Sequence, residues 1–132
     1  MIIRGPHDLT RTAHVDPVKK RIYLVFEGFL STAQAQELKD AYRDAIAEVG
    51  PGYTVLSYFK DFTPGTKEVA GLFASMVEMA SVGGCRKAAR VSSSSVLGPM
   101  QMARIASSHA SYPSRHFATW EEAEAYLDAK AE

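Results

Sequence analysis

The sequence predicts an α/β fold: a mixed, mainly parallel sheet of about five strands with an N-terminal antiparallel hairpin and about four helices. Three observations predict it. Segments that alternate with period two are interleaved with segments whose apolar residues step by three and four. The first two strand segments are joined only by the turn at Asp16-Pro17, too short for a parallel crossover. Arg21 to Phe26 is apolar on both of its alternating faces, the mark of a strand covered from both sides.

Taken in order, Leu9 to Val15 reads as an edge strand that Asp16-Pro17 breaks. In Arg21 to Phe26, Ile22, Leu24 and Phe26 share one face while Tyr23 and Val25 share the other. Ser31 with Gln34 three residues on is a capping box. The helix it opens carries Leu38, Ala41, Tyr42, Ala45, Ile46 and Val49 as one stripe and ends at Gly50-Pro51. Tyr53 to Phe59 is the third strand. Pro64-Gly65-Thr66 introduces a second helix with Val69, Leu72, Phe73, Met76, Val77 and Ala80 inward, stopped by Gly83-Gly84. Lys87 to Val91 is a short strand and Ser92 to Ser95 a polar loop. Gly98-Pro99 opens a third helix through Met102, Ile105 and Ala106. Arg115 to Ala118 is the last strand. Thr119 caps a final helix, with Glu122 at its third position and Ala123, Tyr126 and Leu127 inward.

Composition bounds the function. The chain has 132 residues, enough for one domain over 1–132, and no repeat or linker divides it. Folding at this size buries about two-thirds of the unfolded surface, so no staple is needed. One Cys excludes an internal disulfide framework. Fifteen Lys and Arg balance fifteen Asp and Glu, which argues against a nucleic-acid partner, whose binding rests on neutralising phosphates. The first residues lack a signal peptide's apolar run, and Val69 to Gly84 is too short to span a bilayer. The expectation is a cytoplasmic protein with no integral membrane segment and a free thiol.

Three segments carry a family likeness. They are Ile22-Tyr23-Leu24-Val25-Phe26-Glu27-Gly28-Phe29-Leu30-Ser31, Arg86-Lys87-Ala88-Ala89-Arg90-Val91, and Phe117-Ala118-Thr119-Trp120-Glu121-Glu122-Ala123-Glu124-Ala125-Tyr126-Leu127. In this order, the chain resembles the STAS domain, nearest to its SpoIIAA-like branch of small stand-alone bacterial anti-sigma-factor antagonists. The resemblance implies a regulatory, protein-binding role. Phosphorylation-switched members carry an Asp-Ser-Ser-Gly-type motif at the start of the second helix. Here that place reads Lys60-Asp61-Phe62-Thr63-Pro64-Gly65-Thr66, without the paired serines. Asp61, Thr63 and Thr66 are therefore the candidate switch or partner-contact residues. A phosphate on Thr66 would sit at a helix N-terminus, where negative charge is stabilised. The simpler role for Thr63 or Thr66 is a helix cap.

Ser92, Ser93, Ser94 and Ser95, with Arg90 just before them, are the candidate anion or ligand site. They follow a strand and precede a helix, where hydroxyls and unpaired N–H groups meet a positive dipole end. The run has neither P-loop nor dinucleotide-site spacing, nor a nucleophile elbow. A capped polar loop is the plainer alternative. Met76, Met79, Met100 and Met102, with Phe73 and Tyr58, are either core or the walls of an apolar pocket under the second and third helices.

No catalytic residue is assigned. His7, His14, His109 and His116 lack the local spacing of metal ligands, so neither a metal nor another cofactor is expected. Cys85 beside Arg86 and Lys87 has no local base. The acids of the last helix read as a solvated face, Glu121 and Glu122 favoured there by the dipole.

The leading expectation is thus a non-catalytic regulatory or protein-interaction module with a protein partner. The alternative is a binder of a small apolar, lipid-like or anionic ligand near the second helix and the serine loop. An exposed edge strand makes a homodimer an option. Charge is also uneven. No Asp or Glu occurs from Met79 to Trp120, while Arg86, Lys87, Arg90, Arg104 and Arg115 do. One end of the sheet should be locally positive, either attracting an anion or pairing with the acidic last helix.

Overall fold

The computed structural model describes Gly5 and residues 13–63, 66–92 and 111–129, with the backbone alone at 61–63. The elements run β1 (Ala13–Asp16), β2 (Arg21–Phe29), α1 (Thr32–Val49), β3 (Thr54–Thr63), α2 (Lys67–Gly83), β4 (Lys87–Ser92), β5 (Ser114–Phe117) and α3 (Trp120–Asp128). The sheet is mixed, as the sequence predicts. Its strands lie in the order β1-β2-β3-β4-β5, with β1 antiparallel to β2 and every other pair parallel. Three helices lie among the described residues. The helix expected from Gly98 to Ala106 lies outside them, as do residues 9–12 of the expected first strand.

Local chemistry explains the boundaries. The Asp16 carboxylate accepts from the backbone N–H groups of Val18 and Lys19 and so fixes the hairpin turn. The β2 strand runs past Phe26 to Phe29 through a bulge, where Gly28 adopts a φ of +62°. The capping box forms, with Ser31 accepting from Gln34 N–H and Gln34 returning to the Ser31 N–H. Thr66 caps α2 and Thr119 caps α3. Gly84 ends α2 at a φ of +90°, and a Cβ there would come within 2.8 Å of Pro51. Only glycine meets both demands.

The sequential strand order sets the layers. Right-handed crossovers that all advance in one direction keep their helices on one face. Accordingly α1 and α2 pack together over Ile22, Leu24, Phe26, Val55 and Phe59. Phe26 stacks on Phe59 at 4.7 Å and meets Phe73 edge-on at 5.3 Å. Each such pair adds about 1 kcal/mol beyond area burial. The last helix, α3, covers the opposite face, where Tyr23, Leu56, Ala89 and Val91 meet Trp120, Ala123 and Leu127. Tyr126, expected inward, is half-buried and its ring lies beside Phe117.

Candidate functional site

Alternation along a strand sends neighbours to opposite faces, and β4 is where this matters most. Lys87, Ala89 and Val91 face α3, whereas Ala88 and Arg90 face α1 and α2. Parallel register places Ser57 of β3 beside Arg90, and His116 of β5 beside it on the other flank. Ser114 is paired with Ala88 on the same face.

Ser57, Ala88, Arg90 and Ser114 border a cavity of about 40 Å³ between the sheet and the two helices. Its walls are largely apolar: Leu24, Phe26, Val55 and Ala88 from the sheet, Met76 and Val77 from α2. Among the described residues, Tyr42, Ser57, Arg90, Tyr112 and Ser114 supply the polar atoms. The Tyr42 hydroxyl is already engaged with that of Tyr53, 2.9 Å away. Burial pushes the Tyr112 phenol above its usual range.

Arg90 is the unusual member. Its side chain is only 8% exposed. Nη1 donates to Ser114 Oγ at 3.0 Å, and Nε has no hydrogen-bond partner. Among the described residues it has no carboxylate partner. Burial pulls its pKa below the ordinary arginine value, yet a guanidinium stays charged at any physiological pH. The next strand's His116 is likewise held below its usual pKa, first by desolvation and then by the Arg90 charge.

Across the sheet the same residue type is treated differently. Arg21 Nε donates to Thr54 Oγ1 at 2.9 Å, Nη1 to Glu124, and Nη2 to Asp128 at 2.7 Å. Burial lowers its pKa, but the Asp128 hydrogen bond and the Glu124 charge outweigh this and raise it. Tyr23 OH at 3.1 Å and Lys19 Nζ at 3.0 Å also reach Glu124. Lys87, fully buried, donates to the carbonyls of Tyr126 and Ala129 at 2.6 and 2.8 Å. Arg86 reaches the carbonyls of Leu127 and Ala129. Cations here satisfy the orphan carbonyls at the end of α3 and match its dipole. Glu124 and Asp128 therefore clamp the last helix, which corrects the reading of its acids as a merely solvated face.

The other sequence candidates separate. Thr66 is an exposed cap whose hydroxyl accepts from Val69 N–H at 3.3 Å. Asp61 and Thr63 lie on the β3 backbone, with side chains outside the described part. Ser92 is the last residue of β4, paired with Phe59, rather than the first of a loop. Ser93, Ser94 and Ser95 lie outside the described residues, as do Met100 and Met102. Met76 is buried and lines the cavity, as does neither Phe73 nor Tyr58. Tyr58 faces the opposite way, edge-on to Trp120 at 6.2 Å, because its parity differs from that of Ser57.

Cys85 is buried, with Sγ 3.5 Å from the Lys87 carbonyl. Desolvation pushes its pKa up to about 12, which keeps it a protonated thiol. Among the described residues, no group of three His, Cys, Asp or Glu could hold a metal ion, and no helix is long and apolar enough to cross a membrane.

Sequence reasoning selected Arg90 but missed Ser57, Ser114, Tyr42 and Tyr112. The available signal was a lone polar residue in each apolar strand run, Ser57 in Val55 to Phe59 and Arg90 in Ala88 to Val91. No family model, curated protein or solved structure matches this chain.

Proposed function

We propose that the chain is a non-catalytic binding module that seats a small anion on Arg90, in the cavity between the sheet and α2. One observation carries the reading: a buried guanidinium whose partner is a single hydroxyl, with no carboxylate near it among the described residues. Leaving a buried charge uncompensated costs several kcal/mol, and a bound anion removes that cost. The cavity's 40 Å³ is room for about three water-sized groups. That favours a small anion over an extended acyl chain.

The test is an NMR titration of the intact, isotope-labelled chain with formate, phosphate and butyrate in turn, at constant ionic strength. Saturable shifts at Ser57, Arg90 and Ser114 with at least one anion are expected, and Arg90→Met should abolish them. No saturable shift with any of the three would overturn the proposal.

A second reading keeps the STAS-like regulatory role in the cytoplasm, with a protein partner. Its support is the opening antiparallel hairpin, the sequential strand order with α1 and α2 on one face, and an exposed Thr66 at the N-terminus of α2. A stoichiometric partner whose binding Thr66→Glu weakens would favour it. A partner indifferent to Thr66→Glu would remove the switch from this reading.

A further inference from the structure

We infer that the ligand of this cavity is a monocarboxylate with a short apolar body, not a phosphate. The inference rests on the reading of Arg90 as an anion seat and narrows it by counting charge, shape and wall chemistry. Arg90 is the one cation among the described residues that line the cavity, and no described acid lines it. A monoanion therefore neutralises the charge of the described lining. A phosphate in its dianionic form would leave excess negative charge against apolar walls, where it is poorly solvated.

Shape agrees with charge. A guanidinium offers parallel N–H groups in a plane, the complement of a planar carboxylate. Nη1 of Arg90 lies beside the Ser114 hydroxyl, 3.0 Å from its Oγ. Ser57, register partner of Arg90, brings a second hydroxyl on the next strand. Both can donate to carboxylate oxygens. Among the other described walls are Leu24, Phe26, Val55 and Met76, which suit methylene or methyl groups. The volume limits that body to a few carbons.

The experiment is calorimetric or NMR titration of the intact chain with acetate, butyrate, octanoate, butyramide and inorganic phosphate, at matched ionic strength. Each methylene that fits should tighten binding about fourfold, from about 0.8 kcal/mol per buried methylene. Butyrate should thus exceed acetate by no more than about fourfold, since the cavity has room for little beyond one added methylene, and octanoate should gain nothing further. Phosphate and the uncharged butyramide should each bind at least tenfold more weakly than butyrate. Arg90→Met should remove butyrate binding. Arg90→Lys, which keeps the charge but not the planar fork, should weaken it, and Ser114→Ala tests the same site should Arg90→Met fail to fold. Phosphate binding as tightly as butyrate would overturn the carboxylate assignment while leaving the anion seat intact. Butyramide equalling butyrate, or no binding by any anion, would overturn both.

Discussion

Arg21 and Arg90 lie two strands apart and point to opposite faces of the sheet. Their exposures are 2% and 8%. Arg21 has its guanidinium edges engaged by Thr54, Glu124 and Asp128, and through them it anchors α3 to β2. Arg90 has Ser114. Burial imposes a similar desolvation cost on both. In Arg21 the fold answers that cost internally, so the residue is structural. In Arg90 most of the cost stands unanswered within the described chain, so the residue is better understood by what it can bind. Buried charge alone does not distinguish architecture from function; the partner set does.

Breaking the paired side should have the largest effect. Arg21→Met leaves Glu124 shielded with Lys19 and Tyr23 only, and should cost about 3–5 kcal/mol, measured by denaturant unfolding with an unchanged slope. Lys87→Met removes two hydrogen bonds to the last carbonyls of α3 and should cost about 2–3 kcal/mol. Breaking the unpaired side should do the reverse. Arg90→Met removes an uncompensated charge from an apolar wall and should stabilise the ligand-free chain by about 1 kcal/mol. The same substitution should abolish anion binding.

The smallest effect sharpens the comparison through pH. His116 is held below its ordinary value near 6.5 by desolvation and by Arg90. Arg90 is on its face of the sheet, with the neutral Ser114 next along β5, while Arg115 points away over the Phe117 and Tyr126 rings. A lowered folded pKa means that the unfolded chain takes up the proton first. Stability therefore falls as pH drops below about 6.5 toward the folded value. A bound monoanion, or Arg90→Met, should raise the His116 pKa, as read from the imidazole signals in an NMR titration. An unmoved His116 would show that the anion sits elsewhere. By reciprocity, small anions should bind slightly more tightly as pH falls through that range.

Much of the fold was legible because its signals are periodic and local. The capping box at Ser31, the N-cap at Thr119, the stripe from Leu38 to Ala45 and the two-sided run Ile22 to Phe26 each reflect steric rules that need no distant partner. The division of the basic segment was half legible. Period two separates Lys87 from Arg90, but not which face carries the acids. Glu124 and Asp128 are four residues apart on a helix, and meet Arg21 only after about 100 residues of chain have folded around the sheet. Of the cavity, only its place under α2 and two of its residues, Met76 and Arg90, were legible. It arises where β3, β4, β5 and α2 leave space, and volume left between elements has no residue of its own.

Thermal unfolding of the unmodified chain and Arg90→Met, side by side in chloride and in butyrate, tests the contrast most directly. Ligand at tenfold its Kd should add about 1.4 kcal/mol, a rise of roughly 3–6 °C at this size. The unmodified chain should melt higher in butyrate than in chloride, while Arg90→Met should melt above it in chloride and ignore the change of anion. Arg90→Met melting well below the unmodified chain in both salts would contradict it, and would make Arg90 a second Arg21.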